Sequence, residues 1–153
     1  MSEDLPRPSS INKHSKIMNI LSKVAVTVEP VASARLAAAI VYKNDIISFG
    51  VNRKKSHPFQ AQFCKNDKSI YLHAETDAIK NALRVVDQEI LTKSTLYICR
   101  MKHIGTNRRE FVYGLSYPCS GCMKAIATFN IKNVVYSLEH DGKNSVAFNS
   151  LLR

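Results

Sequence analysis

The sequence contains no apolar run that approaches the roughly 20 residues of a membrane-spanning helix. Its first ten residues, MSEDLPRPSS, also lack a basic segment followed by an apolar one, so they do not resemble a secretory signal. Acidic residues are few, since 12 Asp and Glu stand against 22 Lys and Arg, which gives a formal charge of +10. The first two absences argue against a membrane-spanning or exported protein and predict a soluble, cytoplasmic one.

The excess of basic residues narrows the range of partners. A charge of +10 favours anionic molecules, whether nucleic acid, a free nucleotide or another phosphate-bearing compound. The same charge is compatible with a general contribution to solubility, because many basic proteins bind nothing acidic. Charge alone leaves these alternatives open.

Cysteine is also scarce. The four cysteines are Cys64, Cys99, Cys119 and Cys122. Disulfides are not expected in a reducing compartment, and closely spaced cysteines then indicate a metal site. This directs attention to the pair Cys119 and Cys122.

The length of 153 residues and the hydrophobic content of 45% fit one domain with a real core. Residues 1–10, rich in proline and serine, predict a flexible tail, and residues 11–153 a single domain. A helix is expected after Ser10, with apolar residues at helical spacing as far as Val28 and an end before Pro30.

Two short apolar runs, Leu36–Tyr42 and Ile46–Val51, are separated by the turn-forming Lys43-Asn44-Asp45 and predict a β-hairpin. The later elements are predicted as a loop over 52–69, a helix over 72–86, a strand over 95–101, an insertion-like segment over 102–115 with a short strand in its second half, a helix over 123–129, a strand over 134–138 and a short helix within 139–153. Strands that alternate with helices in this way indicate a three-layer α/β domain.

Three short segments carry residues suited to chemistry: Gly50-Val51-Asn52 at the end of a predicted strand, His73-Ala74-Glu75 at the start of a helix, and Pro118-Cys119-Ser120-Gly121-Cys122 at the start of another. A catalytic zinc ion takes three protein ligands and leaves its fourth position for water. Side chains that meet these needs are present in the second and third segments.

Cys119 and Cys122 are three residues apart in the first turn of a predicted helix, so both sulfurs can face one point. The positive end of the helix favours their thiolate forms. His73 can supply the third ligand from a second helix start. Glu75 then lies beside the metal without binding it, where a carboxylate can accept and return a proton.

The segments H-x-E and P-C-x-x-C, in this order, match a known signature. Through them the sequence resembles the zinc-dependent cytidine and deoxycytidylate deaminase superfamily over residues 35–138. The resemblance implies a three-layer α/β/α cytidine deaminase-like sandwich with a central mixed sheet and Zn²⁺ as the cofactor. It implies that His73, Cys119 and Cys122 hold the zinc and that Glu75 shuttles protons while water replaces the amine of a nucleobase. The family also leads us to expect a homo-oligomer.

The resemblance suggests substrate contacts as well. Asn52 would bind a sugar hydroxyl or a base edge, and the alternative for it is a simple strand-end turn. The N–H of Ala74 would meet the pyrimidine carbonyl. The carbonyl of Ser116 or Tyr117 would accept a hydrogen bond from the exocyclic amine.

A cationic loop begins directly after the asparagine of the first segment. Its Arg53 and Lys54 are predicted to bind a 5′-phosphate, and Arg100, Arg108 and Arg109 are further candidates. The alternative is a solvated basic loop without a ligand.

A structural zinc site is the alternative to a catalytic one. Such a site is closed and needs a fourth protein ligand. The candidates for that ligand are Cys64, Cys99, His57 and His103. Cys64 and His57 share one predicted loop and form a candidate second metal site.

Two functional classes follow from the resemblance. A nucleotide-pool hydrolase would convert a cytosine nucleotide or nucleoside, with dCMP preferred, to its uracil form. A nucleic-acid deaminase would act on tRNA adenosine or on cytosine in single-stranded DNA or RNA. The charge of +10 supports the second class, and the compact size supports the first, which we prefer. No membrane partner is expected.

Overall fold

The computed structural model describes residues 8–31, 34–63, 71–104, 107–140 and 148–152. The elements along the chain are α1 (Pro8–Ala25), β1 (Arg35–Tyr42), β2 (Asp45–Val51), α2 (Pro58–Ala61), α3 (Ala74–Ala82), α4 (Gln88–Leu91), β3 (Thr95–Ile104), β4 (Asn107–Gly114), α5 (Ser120–Thr128), β5 (Asn133–Ser137) and β6 (Phe148–Leu152). No helix within these ranges is long and apolar enough to cross a membrane.

The strands form one mixed sheet. Its order is β2-β1-β3-β5-β6, and β3 and β5 are its parallel pair while the other pairs run antiparallel. Residues 95–98 of β3 pair with β5, and residues 100–104 pair with β4. β1 pairs with one side of β3 as far as Met101. β5 and β4 therefore share the other side of β3, with β5 along its first half and β4 along its second half.

Helices cover both faces of the sheet, which confirms the predicted three-layer α/β/α architecture. Alternate residues of the central strands point to opposite faces. Ala38, Ile40, Leu96 and Ile98 pack with α3 and α5. The residues between them pack with α1, and that core includes Ile17, Met18, Leu21, Ala37, Ala39, Tyr97, Cys99 and Val135.

The predicted β-hairpin is confirmed. β1 and β2 pair from Ala37↔Val51 to Tyr42↔Asp45. Lys43 and Asn44 form the turn with φ values of 48° and 70°, a left-handed backbone that short turns between strands require. The hairpin ends at Val51, so Asn52 follows at the same edge as the start of α3.

Gly50 sets the distance between β2 and α3. A Cβ atom at this position would lie 2.2 Å from the nitrogen of Ala78 and 2.3 Å from the carbonyl oxygen of Ala74. The helix backbone therefore packs directly on the glycine, closer than any side chain permits. Ser48 reinforces the contact, since its Oγ donates to the carbonyl of Ala78 at 2.7 Å.

Several predicted boundaries and one element differ from the structure. The short helix predicted within 139–153 does not include residues 148–152, which form β6 and pair along the whole of β5, while residues 141–147 lie outside the described residues. The predicted loop over 52–69 contains the short helix α2, and α4 was not predicted. The strand predicted over 95–101 extends to Ile104, and the insertion-like segment returns along it as β4.

The remaining helices lie close to their predicted positions. α1 begins at Pro8 and ends at Ala25, ahead of the predicted limit at Pro30, while α3 ends at Ala82 and α5 begins at Ser120. Residues 1–7 of the predicted tail and Cys64 lie outside the described residues. The single-domain assignment of residues 11–153 stays a prediction.

Candidate active site

His73 and Glu75 stand at the start of α3. His73 is the N-cap residue, with extended backbone (φ −83°, ψ 156°), and Glu75 lies in the first turn. Carboxylates are favoured there by the positive end of the helix. Glu75 is only 5% exposed, so its side chain is enclosed in protein.

Cys119 and Cys122 stand at the start of α5 in the same way. Cys119 is the N-cap residue, and its sulfur accepts a hydrogen bond from the backbone N–H of Cys122 at 3.4 Å. The three-residue spacing of the pair thus brings both sulfurs to the first turn. Cys122 is fully buried, whereas Cys119 is exposed.

The two helix starts bring three donor atoms together. Nδ1 of His73 lies 3.2 Å from Sγ of Cys122 and 3.5 Å from Sγ of Cys119. All three atoms lie within 4.8 Å of one another. Zinc bonds of about 2.3 Å to sulfur and about 2.0 Å to nitrogen, in tetrahedral geometry, would separate nitrogen and sulfur by about 3.5 Å. The two nitrogen–sulfur distances are therefore close to those that a bound zinc ion requires.

The protonation of this cluster follows from its internal hydrogen bonds. The thiol of Cys122 donates to the sulfur of Cys119, which lowers the pKa of Cys119 to about 3 and raises the pKa of Cys122. The hydrogen bond to Cys119 raises the pKa of His73. Cys119 is thus a thiolate at neutral pH, the form that binds a metal ion.

Burial raises the pKa of Glu75, and the neighbouring His73 opposes that effect. A carboxyl group with a raised pKa is suited to accept a proton and then return it near neutral pH. Glu75 is not among the three clustered donors. It therefore lies beside the candidate metal site and remains available for proton transfer.

A cavity of about 340 Å³ opens onto His73 and Glu75. This volume lies within the range of small-molecule sites. Its wall is formed by Val31, Ala34, Leu36, Asn52, Tyr71, Leu72, His73, Ala74, Glu75, Arg100, Leu115, Ser116 and Tyr117. Asn52, Ala74, Ser116 and Tyr117, all predicted substrate contacts, are thus brought together around one space.

Asn52 lines the cavity and also holds the start of β1. Its Oδ1 accepts from the N–H of Leu36 at 2.9 Å, and its Nδ2 donates to the carbonyl of Ala34 at 2.9 Å. Each group of the side-chain amide can make one further hydrogen bond. The side chain is therefore oriented by the backbone, and its predicted contact with substrate stays a prediction.

Ala74 is buried in the first turn of α3, where backbone N–H groups have no partners within the helix. This is the group predicted to meet a pyrimidine carbonyl. Tyr117 is 46% exposed at the cavity wall and packs edge-on against Tyr136, with ring centroids 5.2 Å apart. Both assignments as substrate contacts stay predictions.

Ser116 and Ser137 form a buried pair that fixes the segment before Cys119. The N–H of Ser137 donates to Oγ of Ser116 at 2.8 Å, and that hydroxyl donates to the carbonyl of Ile98 at 3.0 Å. Oγ of Ser137 donates to the carbonyl of Gly114 at 2.7 Å and accepts from the N–H of Arg100 at 3.0 Å. The pair therefore joins β3, β5 and the chain that leads to the cysteines.

Arg53 and Lys54 lie beside the cavity rather than in its wall. They line a neighbouring depression with Glu29. Nε of Arg53 lies 3.6 Å from Oδ2 of the buried Asp77, an oxygen that also accepts from the N–H of Val51 at 3.0 Å. The structure thus places the two predicted phosphate ligands next to the site and engages Arg53 with a carboxylate.

The candidate fourth ligands that the structure describes lie apart from the cluster. Cys99 is buried on the face of the sheet covered by α1, and His103 packs on Phe111 with ring centroids 4.3 Å apart. Nδ1 of His57 accepts from the N–H of Phe59 at the start of α2. Among the described residues, no fourth donor joins the three, and the side chains of Arg108 and Arg109 lie outside them.

Gln60 supports the site and was not predicted. Its side chain is fully buried, and its Oε1 accepts from the N–H of His73 at 3.1 Å and from the hydroxyl of Thr76. These hydrogen bonds fix the N-terminus of α3, and with it His73, to α2. Nothing in the local sequence around Pro58 distinguishes this residue from an ordinary surface glutamine, so only the tertiary contact reveals it.

Comparisons with known proteins agree with this geometry. A profile described as the cytidine and deoxycytidylate deaminase zinc-binding region matches residues 11–138. No curated protein matches the chain in sequence. Fold and donor set together define a zinc-binding hydrolytic deaminase. The chain belongs to the cytidine and deoxycytidylate deaminase family.

Two solved structures of one phage enzyme share the fold of this chain. The dCMP deaminase of the cyanophage S-TIM5 in its apo form is 23% identical, with a TM-score of 0.53 over 90% of this chain and 90% of that one. In complex with dCMP and dUMP, the match has 21% identity and a TM-score of 0.52, over 89% and 86%. A tRNA:A34 deaminase is 17% identical, with a TM-score of 0.48 over 86% and 78%.

Proposed function

We propose that the protein deaminates a free cytosine nucleotide, with dCMP as the preferred substrate, and releases ammonia. The observation that carries this proposal is the buried Glu75 at the wall of a single cavity, next to the three clustered donors. The cavity volume of about 340 Å³ suits one small molecule. The cyanophage dCMP deaminase, which shares the fold, was solved with dCMP and dUMP.

The proposal assigns His73, Cys119 and Cys122 as the zinc ligands. Bound there, zinc would supply a nucleophile at neutral pH by lowering the pKa of its water from about 15.7 to about 7. The N–H of Ala74 and the amide of Asn52 orient the base and the sugar. The carbonyl of Ser116 or Tyr117 accepts a hydrogen bond from the exocyclic amine.

Glu75 moves the proton that the reaction requires. As the water oxygen bonds to the amine-bearing ring carbon, the ring C=N π bond breaks and its electron pair moves to the ring nitrogen. The carboxylate accepts one proton of the water and passes it to that nitrogen. It then takes the second proton from the new hydroxyl group and donates it to the amine, because an amide ion is too basic to leave. The bond from carbon to the amine breaks, ammonia departs and the hydroxyl oxygen becomes the carbonyl of the product. One carboxyl group therefore serves both steps.

A Glu75→Gln variant tests this assignment. The amide has nearly the shape of the carboxyl group but cannot accept and return the proton, so we expect ammonia release from dCMP to fall by about 10²–10⁴-fold. Zinc content, measured by atomic absorption, should stay near one ion per chain. Glu89→Gln, an exposed glutamate in α4 that pairs with Lys93, is the matched control. Undiminished turnover by the Glu75 variant would contradict the role.

Action on nucleic acid is the second candidate function. It is favoured by two exposed aromatic side chains at the cavity, Tyr71 and Tyr117, because neighbouring bases stack on such rings. Assays of dCMP, deoxycytidine, a cytosine oligonucleotide and tRNA at several salt concentrations separate the two. Reaction of a polynucleotide alone, with a steep loss of activity as salt rises, would support this candidate and refute ours.

A further inference from the structure

Arg100 lies on the face of the sheet that forms the cavity. It is part of β3, two residues beyond the buried Ile98 and four beyond Leu96, which both point to the core under α3 and α5. Its side chain is half-buried and contributes to the same cavity wall as Asn52 and Glu75. Of the described residues, it is the one Lys or Arg in that wall.

The charge of Arg100 has no partner within the described part of the chain. Its Nε is buried and makes no hydrogen bond, and no carboxylate there lies within ion-pair distance of it. Lys102 and Arg53 differ in this respect, because they pair with Glu139 and Asp77. The Nε of Arg35 is also buried without a hydrogen bond, but that side chain is not part of the cavity wall and lies over the ring of Phe111, 5.4 Å from its centroid. A buried donor without a partner is uncommon in folded proteins and calls for an explanation, such as a missing ligand.

Gly114 provides the space in which Arg100 lies. The two residues are directly paired between β3 and β4. A Cβ atom at Gly114 would lie 3.1 Å from Cδ, 3.2 Å from Cγ and 3.4 Å from Nε of Arg100. Any larger residue would press on the stem of the arginine, so the glycine allows the side chain to lie flat across β4.

We infer that Arg100 binds the phosphate of a nucleotide substrate and makes this cavity selective for nucleotides over nucleosides. The inference rests on the proposed function and replaces Arg53 and Lys54 as the phosphate ligands, since those side chains line the neighbouring depression. Arginine suits the task because its planar guanidinium group can make two parallel hydrogen bonds to a phosphate.

Steady-state kinetics with dCMP and deoxycytidine test the inference. For Arg100→Ala we expect KM for dCMP to rise about 10- to 100-fold, the loss typical of a hydrogen bond to a charged group. The loss with deoxycytidine, which has no phosphate, should be much smaller than the loss with dCMP. Arg100→Lys should lose less, because the charge remains but the paired geometry does not. Arg84→Ala, which removes an exposed arginine after α3, is the control for net charge.

Gly114→Ala perturbs the same contact without removing the charge. The added methyl group displaces the Arg100 stem by a few tenths of an ångström, so KM for dCMP should rise while KM for deoxycytidine does not. An equal loss with both substrates in either variant would show a structural role and overturn the inference. Nucleotide selectivity lost in Arg53→Ala but kept in Arg100→Ala would overturn it as well.

Binding measurements keep this inference distinct from the proposed function. Calorimetric titration of dCMP into Glu75→Gln protein, with and without the Arg100→Ala change, reports the contact without turnover. If the wild type deaminates dCMP and the Arg100→Ala change leaves dCMP binding unaltered, the inference alone fails. If the wild type deaminates neither compound but the Arg100→Ala change abolishes dCMP binding, the proposed function alone fails. Absence of dCMP binding to both Glu75→Gln and wild-type protein would refute both.

Discussion

The close approach between β2 and α3 yields the most demanding test of this structure. Substitution of Gly50 by alanine would place a Cβ atom 2.2 Å from the nitrogen of Ala78 and 2.3 Å from the carbonyl oxygen of Ala74. Ordinary van der Waals contact begins at 3.4 Å. Because both contacts are to backbone atoms, no side chain can rotate to relieve them, and α3 must withdraw by about 1 Å.

The withdrawal has two expected consequences. Overpacking of this kind destabilises a protein by about 1–3 kcal/mol, which corresponds to a loss in Tm of about 2–12 °C for a chain of this length. The N-terminus of α3 also carries His73 and Glu75, and a misplacement of about 1 Å near reacting groups can reduce activity about 10²-fold. Gly50→Ala should therefore lower both stability and kcat, although it alters no group that touches substrate.

Thermal melting and ammonia release, measured on the same preparation, check these consequences. Gly114→Ala is the matched control, since its added methyl group meets only the flexible side chain of Arg100. We expect Gly50→Ala to reduce Tm and kcat much more than Gly114→Ala does. A Gly50→Ala protein with wild-type Tm and wild-type kcat would refute the reasoning, because α3 would then not lie against β2 at the distance observed.

Two further predictions concern residues outside the cavity. Ser137→Ala removes the hydroxyl that donates to the carbonyl of Gly114 and accepts from the backbone N–H of Arg100. The free energy of unfolding, measured by urea denaturation, should fall by about 1–3 kcal/mol. An unchanged midpoint would contradict the role of the serine pair. His14 lies 2.6 Å from the hydroxyl of Tyr97, and burial lowers the pKa of His14 below its ordinary value of 6.5. The unfolded chain therefore binds a proton at His14 more readily than the folded chain does. We expect the free energy of unfolding of wild type to exceed that of His14→Phe by its largest amount above pH 6.5, and this difference to shrink as the pH falls below 6.5. Chemical denaturation of both proteins at several pH values measures the difference.

The candidate metal cluster was predictable because its geometry is local. A three-residue spacing at a helix start determines where Cys119 and Cys122 point, and His73 also stands at a helix start. The hairpin of β1 and β2 was predictable for a similar reason, since Asn44 and its neighbours form the turn without help from the rest of the fold.

The features that sequence reasoning missed depend on distant partners. Residues 148–152 form a strand because β5 offers an open edge, and such context outweighs the weak preference of a short segment. Gln60 and Ser137 carry no local signal, because their importance comes from hydrogen bonds to residues 13 and 21 positions away. The displacement of Arg53 and Lys54 from the cavity wall has the same origin, since adjacency to Asn52 in sequence does not determine which way a side chain leaves the strand end.

The pairing of Arg100 with Gly114 has a consequence for how this chain can change. After Arg100 the end of β3 and the whole of β4 form a β-hairpin, which ends at Gly114, the residue paired with Arg100. Because the hairpin begins and ends at this one residue pair, its outer part can gain or lose residues without a change in the length of chain between Gly114 and the cysteines. An insertion or deletion in this hairpin would therefore change the rim of the cavity, which Arg100 borders, and leave the positions of the zinc-binding residues unchanged.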